Sequence, residues 1–361
     1  MNSRERFLRT INKENPDRPA VFATFTPQIA AKMSKRLGVD YEEPLDSLLS
    51  TRISHTELLL KLGNDAIGVA ACAPKNAPTT TDRNGIITNE WGMKFKSNGL
   101  YNEFLEYPLS HAETVEDIEN YQFPDPFAEE RFDEARKNIA KYGKDYGIIA
   151  DLETSIFETA WYLTGMEKFL MDLMMEPPYL DALLDKIMFV NTEIGKELIR
   201  LGADLIWCGD DFGSQTSLIM DLDTWRRHFK PRIKKMFDEF RQVNPEIKIA
   251  WHTCGAIRPL IPEFIELGLD FLNPIQPMAS NMEPESLSEE FGRSISFFGG
   301  ICVQDLLPNG TPEQIREEVN RRAEILGNHG SYIIAPAHNV QDDTPEENIL
   351  AMLETVRSLS I

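Results

Sequence analysis

Eight short apolar runs, each separated from the next by helical patterning, constrain this chain more than any other feature in it. They are Ala20–Phe25, Ala66–Ala71, Gly147–Leu152, Leu205–Gly209, Lys248–His252, Phe271–Gln276, Ser294–Gly299 and Tyr332–Ala337, and most end in a small or polar residue. Continuous apolar runs of this kind suit strands buried on both faces, which is the environment of a parallel sheet. Parallel neighbours need long crossovers, usually helices, and helix signals fall between the runs. Pro44 opens a stretch from Leu45 to Leu62 that closes at Gly63, and Pro177-Pro178 divides the helical region between Met166 and Leu201. Thr311-Pro312-Glu313-Gln314 and Thr344-Pro345-Glu346-Glu347 each carry the Thr, early Pro and N3 Gln or Glu of a capping box. This alternation predicts an α/β protein, a (β/α)8 TIM barrel with an N-terminal helical segment, as one domain over residues 1–361; a doubly wound three-layer sheet is the structural alternative. Gly85 to Pro108, with Glu90-Trp91-Gly92 and alternating apolar residues, predicts a hairpin inserted after the second strand, and Pro74 to Thr80 reads as a loop.

Charge narrows the partners. A formal net charge of -21 disfavours nucleic-acid backbones and anionic membrane surfaces. Cys72, Cys208, Cys254 and Cys302 are too few for a disulfide framework in a chain of 361 residues, and no long apolar span or leader pattern stands out. A cytoplasmic protein with small-molecule or protein partners is expected, with its oligomeric state open.

If the runs form a barrel, their C-terminal ends converge on one mouth. Cys72, Asp151, Glu153, Asp210, Asp211, His252, Cys254, Gln276, Cys302, Gln304 and His338 fall there. The sharpest element is His252-Thr253-Cys254-Gly255, because residues two apart on an extended segment point to the same side and can reach one metal ion. A catalytic zinc site takes three protein ligands and leaves one position open. His252, Cys254 and His338 fit that requirement, with Cys302 as a possible fourth ligand that would close the site. Glu153, Asp210 and Asp211 are candidate catalytic carboxylates: a proton donor, a partner to a ligating histidine, or a metal ligand. The plainer reading of Asp210-Asp211 is a cap on the next helix or ion pairs with Arg226, Arg227 or Arg232. Gln276 and Gln304 are candidate cofactor-binding residues. Trp91, Trp161, Phe25 and Gln276 could line a pocket, and ordinary packing explains each of them equally well. Cys208, inside a run, reads as core.

Taken in order, Arg4-Glu5-Arg6-Phe7-Leu8, Asn15-Pro16-Asp17-Arg18-Pro19, Gly209-Asp210-Asp211, His252-Thr253-Cys254-Gly255, Ala335-Pro336-Ala337-His338-Asn339 and Pro345-Glu346-Glu347-Asn348 resemble the uroporphyrinogen decarboxylase superfamily from end to end. Within it, the His-x-Cys element resembles the zinc-dependent, cobalamin-linked methyltransferases, including the methylcobalamin:coenzyme M enzymes. That resemblance implies a barrel with Zn2+ at its mouth and methyl transfer to or from cobalamin carried by a partner corrinoid protein. Two departures matter. Thr24-Phe25-Thr26-Pro27-Gln28 stands where true decarboxylases have Arg-Gln-Ala-Gly-Arg, which argues against porphyrinogen decarboxylation. His338 stands where the coenzyme M enzymes have a cysteine. A His/Cys/His set brings one anionic ligand instead of two, which favours Lewis-acid activation of a bound oxygen or nitrogen. The expected activity is therefore methyl transfer between a small methylated substrate, such as a methyl ether, and cobalamin. The alternatives are a metal-free decarboxylase, disfavoured by the scarcity of Arg and Lys at the predicted strand ends, and a non-catalytic zinc or small-molecule binding barrel.

Overall fold

The computed structural model describes residues 1–45, 52–97 and 102–360. Eight parallel strands, numbered here β1 (Ala20–Val21), β2 (Ala66–Val69), β3 (Gly147–Asp151), β4 (Leu205–Gly209), β5 (Lys248–His252), β6 (Phe271–Asn273), β7 (Ser296–Ile301) and β8 (Tyr332–Pro336), pair in the order β1-β8-β7-β6-β5-β4-β3-β2. With helices around them they form the nearly closed ring of a (β/α)8 TIM barrel.

Alternation along each strand sorts the apolar residues into two cores. One lies inside the ring, where Ala20, Phe22, Ala66, Ile149, Leu205, Trp207, Ala250, Phe271, Phe298, Ile333 and Ala335 pack together. The other, larger core lies between the ring and the helices and holds Val21, Ile67, Ile148, Ile206, Cys208, Trp251, Leu272 and Ile334. Helix Ser3–Ile11 plugs the N-terminal end of the ring with Phe7 and Ile11. Gly147 admits the plug, since a Cβ there would lie 2.1 Å from the Phe7 ring.

Between β1 and β2 the ladder is made largely by side chains. The Asn64 amide accepts from Ala23 N and donates to Ala23 O, both at 2.9 Å. The Asp65 carboxylate accepts from Val21 N at 3.0 Å, while Asp65 N donates to Val21 O at 2.9 Å. Two arginines from the N-terminal motifs hold that fully buried carboxylate, Arg6 at 2.8 Å and Arg18 at 2.7 Å.

The element boundaries shift from expectation for local reasons. β6 stops at Asn273 because Pro274 follows, joined by a cis peptide, and has no N–H to continue the ladder. Of the helix expected over 45–62, residues 46–51 lie outside the described residues and Arg52–His55 is non-helical. The helix runs only over Thr56–Leu62, because His55 has φ 61°. The insertion after β2 is larger than one hairpin. It is an antiparallel sheet of Thr80–Thr81, Ile87–Thr88, Lys94–Ser97 and Asn102–Glu106, with residues 98–101 outside the described set. Phe104 of this sheet stacks on Tyr162, at 4.6 Å between centroids, and also meets Trp161. Pro177-Pro178 separates helices Met166–Met175 and Leu180–Leu201 as expected. The capping box forms at Thr311; the helix after Thr344 begins at Glu346 without a side-chain cap. Among the described residues no helix is long and apolar enough to cross a membrane.

Candidate metal centre at the barrel mouth

His252 is the last residue of β5, and its two ladder neighbours define its surroundings. On one side it pairs with Gly209, where any Cβ would lie 2.5 Å from the His252 Cβ. On the other it pairs with Asn273, whose Oδ1 lies 2.6 Å from His252 Nδ1. Asn273 Nδ2 donates to Phe298 O at 2.9 Å, which turns the amide so that its oxygen faces the imidazole. Nδ1–H of His252 therefore donates to Asn273, and the Nε2 lone pair points into the mouth.

The next three residues each have a structural job. Thr253 Oγ1 accepts from Phe212 N at 3.1 Å, tying the loop after β4 to the loop after β5. Cys254 Sγ lies 3.4 Å from His252 Nε2, and Cys254 N donates to Asp211 Oδ1 at 2.7 Å. Gly255 has φ 87°, and a Cβ there would stand 2.4 Å from Ser214 O, so the turn requires glycine. Gly255 N donates to Gln276 Oε1 at 2.8 Å.

Asp211, His252 and Cys254 thus converge, with their ligand atoms all within 4.8 Å of one another. His252 Nε2 is 3.5 Å from Asp211 Oδ1. Burial lowers the proton affinity of His252 and raises that of the Cys254 thiol. The walls of the mouth, and His252 itself, lower that of His338, although the residue is exposed. Its centroid is 6.2 Å from that of His252. Zn–N bonds are about 2.0–2.1 Å and the ion is tetrahedral, so two imidazoles that share it have ring centroids about 5.2 Å apart. His338 stands about 1 Å beyond that distance and outside the three-residue cluster. Cys302 is buried just past β7 and does not belong to the three-residue cluster.

The carboxylates divide by role. Asp210 is fully buried and accepts N–H bonds from Ser155, Ile156 and Glu158, capping helix Phe157–Thr164 from the end of β4. Burial lifts its carboxyl to about 7 against the pull of those N–H groups. The expected cap on the next helix is thus a cap on the preceding crossover. Arg226, Arg227 and Arg232 pair elsewhere, with Glu263, Glu176, and Asp181 and Asp185. Glu153 has φ 26° and donates its N–H to Asp151 at 2.9 Å. Gln276 braces the Cys254 turn from inside, and Gln304 is exposed in the loop after β7. Trp91 and Phe25 are buried, and Trp161 packs against the inserted sheet.

A narrow recess opens beside His252, floored by Phe22, Trp207 and Phe298 and rimmed by Thr24, Arg52, Glu153, Pro274, Pro336, His338 and Asn339. Three residues here were not apparent from sequence. Arg52 reaches the mouth from ahead of helix Thr56–Leu62, so the expectation that cations are scarce at the mouth needs one exception. Its guanidinium lies 3.8 Å from the Trp207 ring centroid, 3.0 Å from Asp151 and 3.7 Å from Glu153. Glu158 accepts from Tyr162 OH at 3.0 Å and Asp211 N at 3.1 Å. Its carboxyl is pushed well above the usual range by burial, then by Asp211 and Asp210. Asn273, read only as a strand residue, orients His252. The one available signal was its place directly before Pro274.

This layout defines a class: a TIM barrel whose C-terminal mouth gathers imidazole, thiol and carboxylate donors in an acidic surround. The chain belongs to the uroporphyrinogen decarboxylase (URO-D) family, whose model matches residues 103–359. It is similar to a methylated-thiol–coenzyme M methyltransferase of Methanosarcina mazei, at 26% identity over 213 residues, covering 59% of this chain and 54% of that protein. It is also similar to a uroporphyrinogen decarboxylase of Acidiphilium cryptum, at 24% identity over 185 residues, covering 51% and 48%. These matches span about half the length of the curated relatives. A solved methyltransferase from Methanosarcina mazei shares the fold over 99% of this chain and 98% of that one, with a TM-score of 0.71 and 18% identity.

Proposed function

We propose that this protein is a zinc-dependent methyltransferase that moves a methyl group between a small methylated compound and the cobalamin of a separate corrinoid protein. The observation that carries the reading is the convergence of Asp211, His252 and Cys254 within 4.8 Å at the mouth, in a chain similar to a methylated-thiol–coenzyme M methyltransferase. The donor set suits Zn2+, with Asp211, His252 and Cys254 as protein ligands and His338 beside the open position. Cys302 is left out of the ligand set because it stands outside the cluster. Zinc in this place supplies Lewis acidity toward the heteroatom that carries the methyl group.

The protein's own residues hold and orient. Asn273 fixes the His252 ring, Gln276 and Thr253 hold the Cys254 turn, and Asp210 anchors the helix that carries Glu158. Glu158 keeps its proton behind Asp211, which suits it to return a proton toward a departing oxygen or sulfur. A set with a single thiol and otherwise imidazole and carboxylate donors is hard enough to favour an oxygen heteroatom, so a methyl ether is the preferred donor. A metal-free decarboxylase would need cations available for substrate carboxylates, whereas Arg52 is engaged by Asp151 and Glu153.

The test is metal content together with methylation of cob(I)alamin from a panel of methyl ethers and methylated thiols. About one zinc per chain is expected, with both metal and transfer lost in His252→Ala and Cys254→Ala, and Asp211→Asn losing more metal than His338→Ala. Wild-type protein that takes up no zinc when supplied with it would overturn the reading.

A further inference from the structure

Arg52, the cation among the residues that rim the recess, is already answered. Its guanidinium carbon lies over the Trp207 ring, 3.8 Å from the centroid, with Asp151 at 3.0 Å and Glu153 at 3.7 Å. The two acids differ in place: the Asp151 side chain is 2% exposed and that of Glu153 is 29% exposed. Asp151 belongs to the buried support, whereas Glu153 stands on the rim of the recess itself. Its backbone supports that reading. Glu153 is held at φ 26°, a conformation unfavourable for a residue with a side chain, by its N–H bond to Asp151.

Charge counting around the recess gives the consequence. A thiolate from Cys254 and a carboxylate from Asp211 offset a divalent ion, and Asp151 and Glu153 outnumber Arg52 by one. Glu158 and Asp211 also lie within the field of Arg52. We infer that Glu153 is a specificity-determining residue that closes the charge of Arg52 to substrate, so the recess accepts neutral substrates and rejects those bearing a carboxylate or sulfonate. This rests on the reading of the mouth as an open metal centre and adds to it the charge class of the small substrate.

Two thiols of similar reach test it: 2-mercaptoethanol, which ends in a hydroxyl, and 2-mercaptoethanesulfonate, which ends in an anion. Their dissociation constants are measured on the full-length Co2+-substituted protein from the change in its visible absorption. The wild type is expected to prefer the neutral thiol by at least about tenfold, and Glu153→Gln, nearly isosteric, to narrow that ratio by about tenfold. An ionic-strength series on the wild type gives a second readout that needs no variant. Between 0.01 and 1 M the screening length falls from about 30 to about 3 Å, so the preference should shrink as salt rises. Equal affinity for the two thiols, a ratio insensitive to salt, or a ratio unmoved in Glu153→Gln overturns the inference while leaving the metal centre standing. Failure of the metal-loaded protein to bind either thiol overturns the open-site reading and the inference with it.

Discussion

The two ends of the barrel each bury arginine against aspartate, with opposite balance. At the N-terminal end Asp65 is gripped by Arg6 and Arg18, and Asp17 answers the far side of Arg6 at 2.6 Å. The N-terminal ammonium, 3.4 Å from Asp17, adds a third cation, so each carboxylate there is held by two positive groups. At the mouth the guanidinium of Arg52 lies in the field of Asp151, Glu153 and Asp211 and beside the carboxyl of Glu158. The first end is filled and pairs every carboxylate, which is how buried ions are made tolerable. The second keeps surplus negative charge beside neutral imidazoles and a thiol, an arrangement costly to the fold that suits a cation. The difference separates what holds the ring together from what the ring presents.

The largest expected effect breaks the filled end. Asp65→Ala leaves the buried Arg18 without its carboxylate, takes one of two carboxylates from Arg6 and removes the acceptor of Val21 N, and should cost about 3–5 kcal/mol in urea unfolding, with zinc per folded chain unchanged. A loss below about 1 kcal/mol would mean that the seam is held by something else. Next, Asn273→Ala sharpens the other side of the comparison by freeing the His252 ring. Zinc affinity, measured by chelator competition, should fall about 10–100-fold, and an unchanged affinity would remove Asn273 from the site. The smallest effect concerns Asp17, whose carboxyl is held at about 2, first by its hydrogen bond to Arg6. Its folded value lies below its ordinary 3.8, so the stability it contributes is complete above that value and lost as pH falls through about 2. The urea-midpoint difference between wild type and Asp17→Asn should therefore shrink from pH 5 to pH 2.5; a constant difference would count against the pairing.

The strands were readable because each is an apolar run buried on both faces: six of the eight lie within two residues of the expected limits at both ends, and β1 and β6 begin where expected and stop early. β1 was overestimated for a reason invisible in a pattern. Side chains of Asn64 and Asp65 replace the ladder that a neighbouring strand would have formed. His252, Cys254 and Asp211 could be picked out as donor types at strand ends. Arg52 and Glu158 could not, because neither lies in a strand and both reach the mouth through the tertiary path of a crossover. The N-terminal motifs that carried the family resemblance turn out to clamp the barrel's closed end, with Arg6, Asp17 and Arg18 all in the Asp65 network. The family model's match, residues 103–359, omits β1, β2 and Arg52, so the ring and its mouth are completed by the segment ahead of it.

The seam between β1 and β2 also decides how the ring can close. A peptide ladder is repetitive and tolerates slippage by two residues, since every step offers the same donor and acceptor. Here the two rungs are chemically unequal: an amide that both gives and takes at Ala23, and a carboxylate that can only take at Val21. Displaced two residues toward the start of the chain, the carboxylate would meet Pro19, which has no N–H to give, so this joint works like a keyed plug that is barred from slipping that way.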